Sequence, residues 1–181
     1  MILCFHDIGY ANETYVIRPE QFKEILLKYP EAEIHFDDGR YGAIQFGLPI
    51  LKELKRKATL FLVPNFLMGR IPDKERYSLF MGLDNVKLWI EEGFEIGSHS
   101  FSHTQFRLET EEDINYELEK SKAFLEHIFK VKITKFAYPY GFVTEGIKKA
   151  AEKIYKKCYT LESDLGIKRE LIVVNGENQC H

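Results

Sequence analysis

The chain reads as an α/β protein whose strands pair in parallel, in an incomplete (β/α) barrel of about seven strands. Three observations lead there. Short β-rich runs alternate with amphipathic helical stretches along the 181 residues. Such alternation implies parallel pairing, because each strand returns through a helix rather than through a tight hairpin. The residues able to do chemistry also fall just after strands: His6 after the first, Asp37 and Asp38 after the second, His99 after the fourth, Tyr138-Pro139-Tyr140-Gly141 after the fifth. In a barrel those C-terminal strand ends form one rim on which distant groups converge; an open doubly wound sheet, the other architecture, gathers them less easily.

The elements follow in order. The first strand spans Ile2 to Phe5, and a helix opens at Pro19, a favoured first helical position, with Phe22, Ile25, Leu26 and Tyr29 on its buried face. The second strand runs from Glu33 to Phe36, with a helix over about Ala43 to Lys55 behind it. The third, Thr59 to Val63, leads into a rim segment over 65–83 that contains Phe66, Met68, Arg70, Arg76, Tyr77 and Phe80. A helix from Asp84 to Glu92 carries Trp89 beside Val86 and Ile90, a core pattern, and the fourth strand is Phe94 to Gly97. The longest helix starts with Thr110 as its cap and Asp113 three residues on; its stripe Ile114, Leu118, Ser121, Leu125 and Ile128 faces the core. Strands at Ile133 to Tyr138, Lys156 to Thr160 and Glu170 to Val174 complete the set, with a helix from Thr144 to Lys153 between the first two. With no internal repeat, low-complexity segment or linker, residues 1–181 read as a single domain.

A net charge of −3 and a pI near 6.1, without a concentrated basic stripe, argue against a nucleic-acid binder. Cys4, Cys158 and Cys180 have no metal or redox spacing, so buried inert thiols are expected. The N-terminus lacks the basic flank, apolar stretch and cleavage site of a signal peptide, and no run is long enough to span a membrane. A cytoplasmic protein is the expectation, and composition leaves its oligomeric state open.

Two segments carry the chemistry. His35-Phe36-Asp37-Asp38-Gly39 and His99-Ser100-Phe101-Ser102-His103 supply two adjacent carboxylates and two histidines. Two imidazoles and one carboxylate make three ligands, the count that leaves a catalytic zinc or similar ion an open position. Adjacent aspartates on an extended backbone point to opposite sides, and Gly39 supplies the turn that lets one bind while the other acts on water as a base. Alone, Asp-Asp-Gly reads as an Asx-turn and His-x-x-x-His as two surface histidines. Together, each after a strand, they point to a metal site. Non-haem iron oxygenases use the same ligand types, but their usual all-β barrel does not match this alternation.

With Phe136-Ala137-Tyr138-Pro139-Tyr140-Gly141, these segments resemble the first three motifs of the polysaccharide deacetylases, carbohydrate esterase family 4 or NodB-homology domains, and the resemblance spans nearly the whole chain. It implies a distorted (β/α) barrel and a metal-dependent hydrolase that removes N-acetyl groups from an amino-sugar glycan or glycan intermediate, with metal-bound water as nucleophile. Asp37 would be the base. Asp38, His99 and His103 would hold one divalent ion, zinc first, with cobalt or nickel as alternatives. Tyr138 and Pro139 would line the substrate groove, and the backbone N–H of Tyr140 would steady the oxyanion.

This chain departs from the pattern twice. Ala137 stands where the family often has an Arg paired with the base, so that charge is missing or comes from elsewhere, Arg169 being a weak candidate. No Leu-x-His motif for the general acid appears near the C-terminus. Leu3-Cys4-Phe5-His6-Asp7 has its form, resembling the circularly permuted poly-N-acetylglucosamine deacetylases, and this makes His6 the acid. The competing reading of His6 is a strand-end histidine bonded to nearby backbone. Asp7 would orient His6 or sit exposed in a turn, and His181 belongs to a polar tail. The 65–83 segment would bind sugar rings, pack, or form a dimer contact. An O-acetyl esterase on the same site and a degenerate sugar-binding relative are the alternative functions.

Overall fold

The computed structural model describes residues 1–76, 78–161 and 164–173. Its elements in chain order are β1 (Ile2–Phe5), β2 (Asp7–Ile8), β3 (Val16–Ile17), α1 (Pro19–Lys28), β4 (Glu33–Phe36), a π-helical turn Ala43–Gly47 leading into α2 (Leu48–Glu53), β5 (Ala58–Leu62) and α3 (Pro64–Leu67). Then come α4 (Leu83–Glu91), β6 (Glu95–Ser98), α5 (Glu111–Phe129), β7 (Lys135–Ala137), α6 (Glu145–Ile154), β8 (Lys157–Thr160), β9 (Ile167–Lys168) and β10 (Glu170–Leu171).

The main sheet has eight strands in the order β10-β1-β4-β5-β6-β7-β8-β9, every pair parallel. Its two end strands, β9 and β10, are separated along the chain by Arg169 alone. One extended segment therefore changes partners at that residue: Ile167 and Lys168 pair with β8, Glu170 and Leu171 with β1. The amide of Arg169 still donates to Thr160 O at 2.9 Å, and that of Ile172 to Cys4 O at 2.9 Å. The sheet thus curls into a nearly closed barrel with Arg169 at its seam.

The last strand was expected from Glu170 to Val174. It instead begins at Ile167 and is divided by the change of partner, while Val174 lies outside the described residues. The other main-sheet strands fall within one or two residues of expectation, and the small parallel pair β2-β3 is additional.

Strand periodicity sorts the side chains into two sets. Leu3, Phe5, Ile34, Phe36, Leu60, Leu62, Ile96, Phe136 and Cys158 point outward into the main core beneath the helices. Cys4, His35, Phe61, Ala137 and Tyr159 occupy the alternate, inward positions and are buried. Inside, the rings of His35, Phe61 and Tyr159 pack in mutual contact, with centroids 4.6–5.5 Å apart. Charges close the N-terminal end: Lys135 Nζ lies 2.6 Å from Glu95, 2.9 Å from Thr59 Oγ1 and 3.3 Å from Glu33.

The helices agree with their patterns. Thr110 caps α5 reciprocally with Asp113, and Ile114, Leu118, Ser121 and Leu125 are buried on its inner face, with Ile128 partly so. Trp89 is fully buried and donates its ring N–H to Glu95 O at 3.0 Å. Cys4 and Cys158 are free buried thiols, and burial pushes Cys158 up to about 11; Cys180 lies outside the described residues. No helix among the described residues is long and apolar enough to cross a membrane.

Candidate active site

Two strand exits build the site. After β4 the chain reverses through Asp38 and Gly39, both at positive φ (70° and 78°). The turn was expected of Gly39 alone. The structure uses Asp38 as well, and aspartate is among the residues that tolerate the left-handed region. The consequence is that Asp37 continues the inward set with His35, while Asp38 swings onto the rim.

After β6, Ser100 and His103 also take positive φ (62° and 60°), so the loop folds both histidines toward Asp38. It is held from beneath by Glu117 of α5. The Glu117 carboxylate accepts from the amides of Phe101 and Ser102, each at 2.8 Å, and from Ser102 Oγ at 2.7 Å. Sequence reasoning passed over Glu117. Its signal was a carboxylate three residues after Ile114 and four before Ser121, on the buried face of an amphipathic helix.

The ligand atoms of Asp38, His99 and His103 lie within 4.8 Å of one another. His99 Nδ1 donates to Ala137 O at 2.7 Å, which turns the lone pair of Nε2 inward. Nε2 of His99 and of His103 lie 3.6 and 3.3 Å from Asp38 Oδ1. That oxygen is buried with no hydrogen-bond partner, a costly state that a cation at this point would relieve. Burial holds His103 down at about 4, so its imidazole is neutral near pH 7 and able to ligate. Burial pushes Asp38 up, but His103, His6, Arg40 and His99 pull it down to about 2. The donor set fits a divalent transition ion.

Asp37 is held differently. Its two oxygens meet Arg169 Nη1 and Nη2 at 2.6 and 2.7 Å, a bidentate pair buried on both sides, and Oδ2 also accepts from Cys4 Sγ at 3.3 Å. Burial pushes this carboxyl up. Arg169 and then His99 outweigh it and leave it well below the usual carboxylate range. Arg169, a weak candidate by sequence, is thus the partner of Asp37, delivered by the seam of the barrel. Ala137, where the family often has its Arg, is fully buried beside Phe61 and Tyr159, and the Arg169 guanidinium lies 5.4 Å from the Phe61 ring centre.

A cavity of about 190 Å³ opens over these groups, lined among others by His6, Tyr15, Asp37, Asp38, His99, His103, Tyr138 and Tyr140. His6 therefore faces the same rim as the two loops. Its Nδ1 is buried without a partner, its ring packs 4.9 Å from Tyr15, and burial lowers its pKa against the pull of Asp38 and Asp37. Asp7 does neither thing expected of it. It is buried, and Oδ1 accepts from the amides of Ile8 and Gly42 at 2.9 and 3.0 Å. A side chain at Gly42 would put its Cβ 1.9 Å from Ile8 O, so only glycine allows that approach.

Tyr138 and Pro139 are buried at the exit of β7. Tyr140, at φ 58°, is half-exposed, with its ring 4.7 Å from that of His103 and its hydroxyl 3.2 Å from Lys74 Nζ. In the 65–83 segment, Phe66 packs: its ring meets Phe80 at 4.8 Å and His103 at 5.6 Å. Met68 and Arg70 are exposed, and Tyr77, like His181, lies outside the described residues.

A parallel barrel that gathers a His-His-carboxylate cluster and an ion-paired second carboxylate on one rim defines an α/β protein with a candidate hydrolytic metal site. The chain belongs to the polysaccharide deacetylase family, whose sequence model matches residues 28–158. It is 29% identical over 153 residues to YxkH of Bacillus subtilis (strain 168), whose name ascribes it to the polysaccharide deacetylases; the match covers 82% of this chain and 50% of YxkH. The chain thus spans about half the length of that relative. Its fold is similar to that of the Streptococcus pyogenes deacetylase PplD, solved in complex with acetate (TM-score 0.82, 18% identity, 99% of this chain and 94% of that one). It is equally similar to IcaB from Ammonifex degensii (TM-score 0.83, 18% identity, 95% and 91%). His6 and Arg169 both lie outside the residues that the family model matches.

Proposed function

We propose that the chain hydrolyses N-acetyl groups of an amino-sugar glycan or glycan intermediate, with one divalent ion, zinc before cobalt or nickel, held by Asp38, His99 and His103. The observation that carries this reading is the partnerless Asp38 Oδ1 facing two imidazole nitrogens beside an ionised carboxylate, Asp37. When bound, the ion supplies Lewis acidity that polarises an acyl oxygen and acidifies water.

The protein's own groups then divide the work. Asp37, kept ionised and aimed by Arg169 and Cys4, takes the proton of the attacking water. The backbone N–H of Tyr140 stabilises the developing oxyanion, and Tyr138 and Pro139 shape the groove beneath it. His6, whose ring faces the same cavity, protonates the departing nitrogen. The cavity of about 190 Å³ is smaller than ligand pockets of roughly 300–1,000 Å³, so it takes the reacting end of a glycan and leaves the rest on the rim.

The test uses chelator-stripped protein before and after zinc is restored, with N-acetylated chito-oligosaccharides and an O-acetylated oligosaccharide, following acetate and new amine together. Equal amounts of both from the N-acetylated substrate, only after zinc is restored, is the expected result. Acetate from the ester alone would move the assignment to an esterase, and activity without metal would remove the ion from it.

A further inference from the structure

The carboxylate at the candidate metal site is not free to choose how it binds. Both Nε and Nη2 of Arg40 lie on the same oxygen, Asp38 Oδ2, at 3.2 and 3.1 Å. Oδ1, the other oxygen, is the one turned toward His99 and His103. Arg40 is itself completely buried and firmly held. Nη1 donates to Ser78 Oγ at 2.9 Å, and the guanidinium lies 4.7 Å from the ring centre of Phe80. The backbone behind it is zipped: Tyr41 N donates to Leu79 O at 2.8 Å and Met81 N to Gly39 O at 2.9 Å, around an antiparallel bridge between Arg40 and Phe80.

Carboxylates bind ions through one oxygen or through two. Here the second oxygen is occupied by a fork of N–H groups. Each aspartate already has a buried cation before any ion arrives: Arg169 pairs with Asp37 and Arg40 with Asp38. A buried guanidinium one carboxylate away from a dication opposes its binding, so a site built for affinity alone would not contain one.

Resting on the reading of Asp38, His99 and His103 as the ligands, we propose that Arg40 is a positioning residue that makes Asp38 a one-oxygen, charge-compensated ligand. The site thereby gives up metal affinity and keeps the ion's positive charge available to the substrate. The bland alternative is that Arg40 only fastens residues 78–81 to the rim. That role would leave metal binding where it is.

The experiment measures zinc affinity by chelator competition, and the visible spectrum of the cobalt(II) form, for wild type, Asp38→Ala, Arg40→Met and Arg40→Gln. Both Arg40 variants remove the charge, and either one that keeps the wild-type circular dichroism suffices. The expected result is zinc binding about tenfold tighter or more than wild type, with a weaker cobalt absorption as Oδ2 joins the coordination shell. Arg40→Lys, which keeps the charge, stays near the wild-type affinity. Unchanged or weaker zinc binding by a folded Arg40→Met or Arg40→Gln overturns the proposal. Wild type without zinc, or Asp38→Ala binding as tightly as wild type, overturns the ligand assignment itself and this inference with it.

Discussion

The loop after β4 and the loop after β6 bring their side chains to the same point, yet they are secured by opposite means. Asp37 and Asp38 are each gripped by a buried guanidinium, so charge is held by charge. The histidine loop is gripped through its main chain, where Glu117 takes the amides of Phe101 and Ser102, and Ala137 O fixes the His99 ring. A buried ionised group needs a partner of opposite sign, whereas a loop can be set by giving its buried amides an acceptor. Damage to the two supports should therefore read out differently.

The largest effect should erase the distinction. On the proposed ligand set Asp38→Ala and His103→Ala each leave two donors, and both should lose stoichiometric zinc and lower acetate release by about 100-fold or more. Metal analysis beside the assay checks this; full zinc retained in His103→Ala would take the histidine loop out of the ligand set.

Next comes Arg169→Met, which strands the Asp37 charge in the barrel. Breaking such a pair from one side costs about 3–5 kcal/mol, visible as a lower melting temperature. The sign of the pH effect follows from Asp37, whose folded-state pKa is depressed. Its stabilising contribution is present above the unfolded value and is lost as pH falls through the folded one. Without Arg169 that pKa rises, so the acid limb of the rate profile should move to higher pH by about one unit or more. A limb that stays in place would mean that Arg169 does not set the ionisation of Asp37.

Glu117→Ala should cost less, about 2–3 kcal/mol for the buried amides left without an acceptor, and should weaken zinc binding by about 10–100-fold. Its acid limb should stay where wild type has it, and that contrast with Arg169→Met is the sharpest form of the comparison. The smallest change is Cys4→Ala, which removes one weak donor from Asp37 and should cost on the order of 1 kcal/mol by denaturant unfolding. A loss larger than that of Glu117→Ala would show that the thiol carries more of the support of Asp37 than its geometry indicates.

The same contrast explains what the sequence disclosed. Alternating strands and helices announced the parallel barrel, and Asp37, Asp38, His99 and His103 announced themselves as two local clusters, each at a strand end. Arg169 stood 132 residues from its partner with nothing around it to mark it, because its role comes from a change of strand partner inside a segment too short to show a period. Arg40, two residues from Asp38, was in plain view but carried no pattern of its own; its part shows only in its complete burial against Asp38 Oδ2. Glu117 was hidden by the stripe around it, where an apolar face drew attention away from the single carboxylate that it carried. Local motifs give the groups gathered at the candidate site. The groups that hold them depend on the closed fold.

The position of Arg169 at the seam also has a consequence in time. A ribosome adds about 5–20 residues per second, so roughly ten seconds separate the synthesis of Asp37 from that of Arg169. Through that interval the growing chain carries Asp37 without the guanidinium that must face it once the barrel closes around it. A nascent chain stalled before residue 169, or a finished one clipped there by a protease, would keep the residues of the Asp38-His99-His103 cluster while Asp37 lacked its buried counter-charge, so the rim is completed only when the segment through Arg169 docks between β8 and β1.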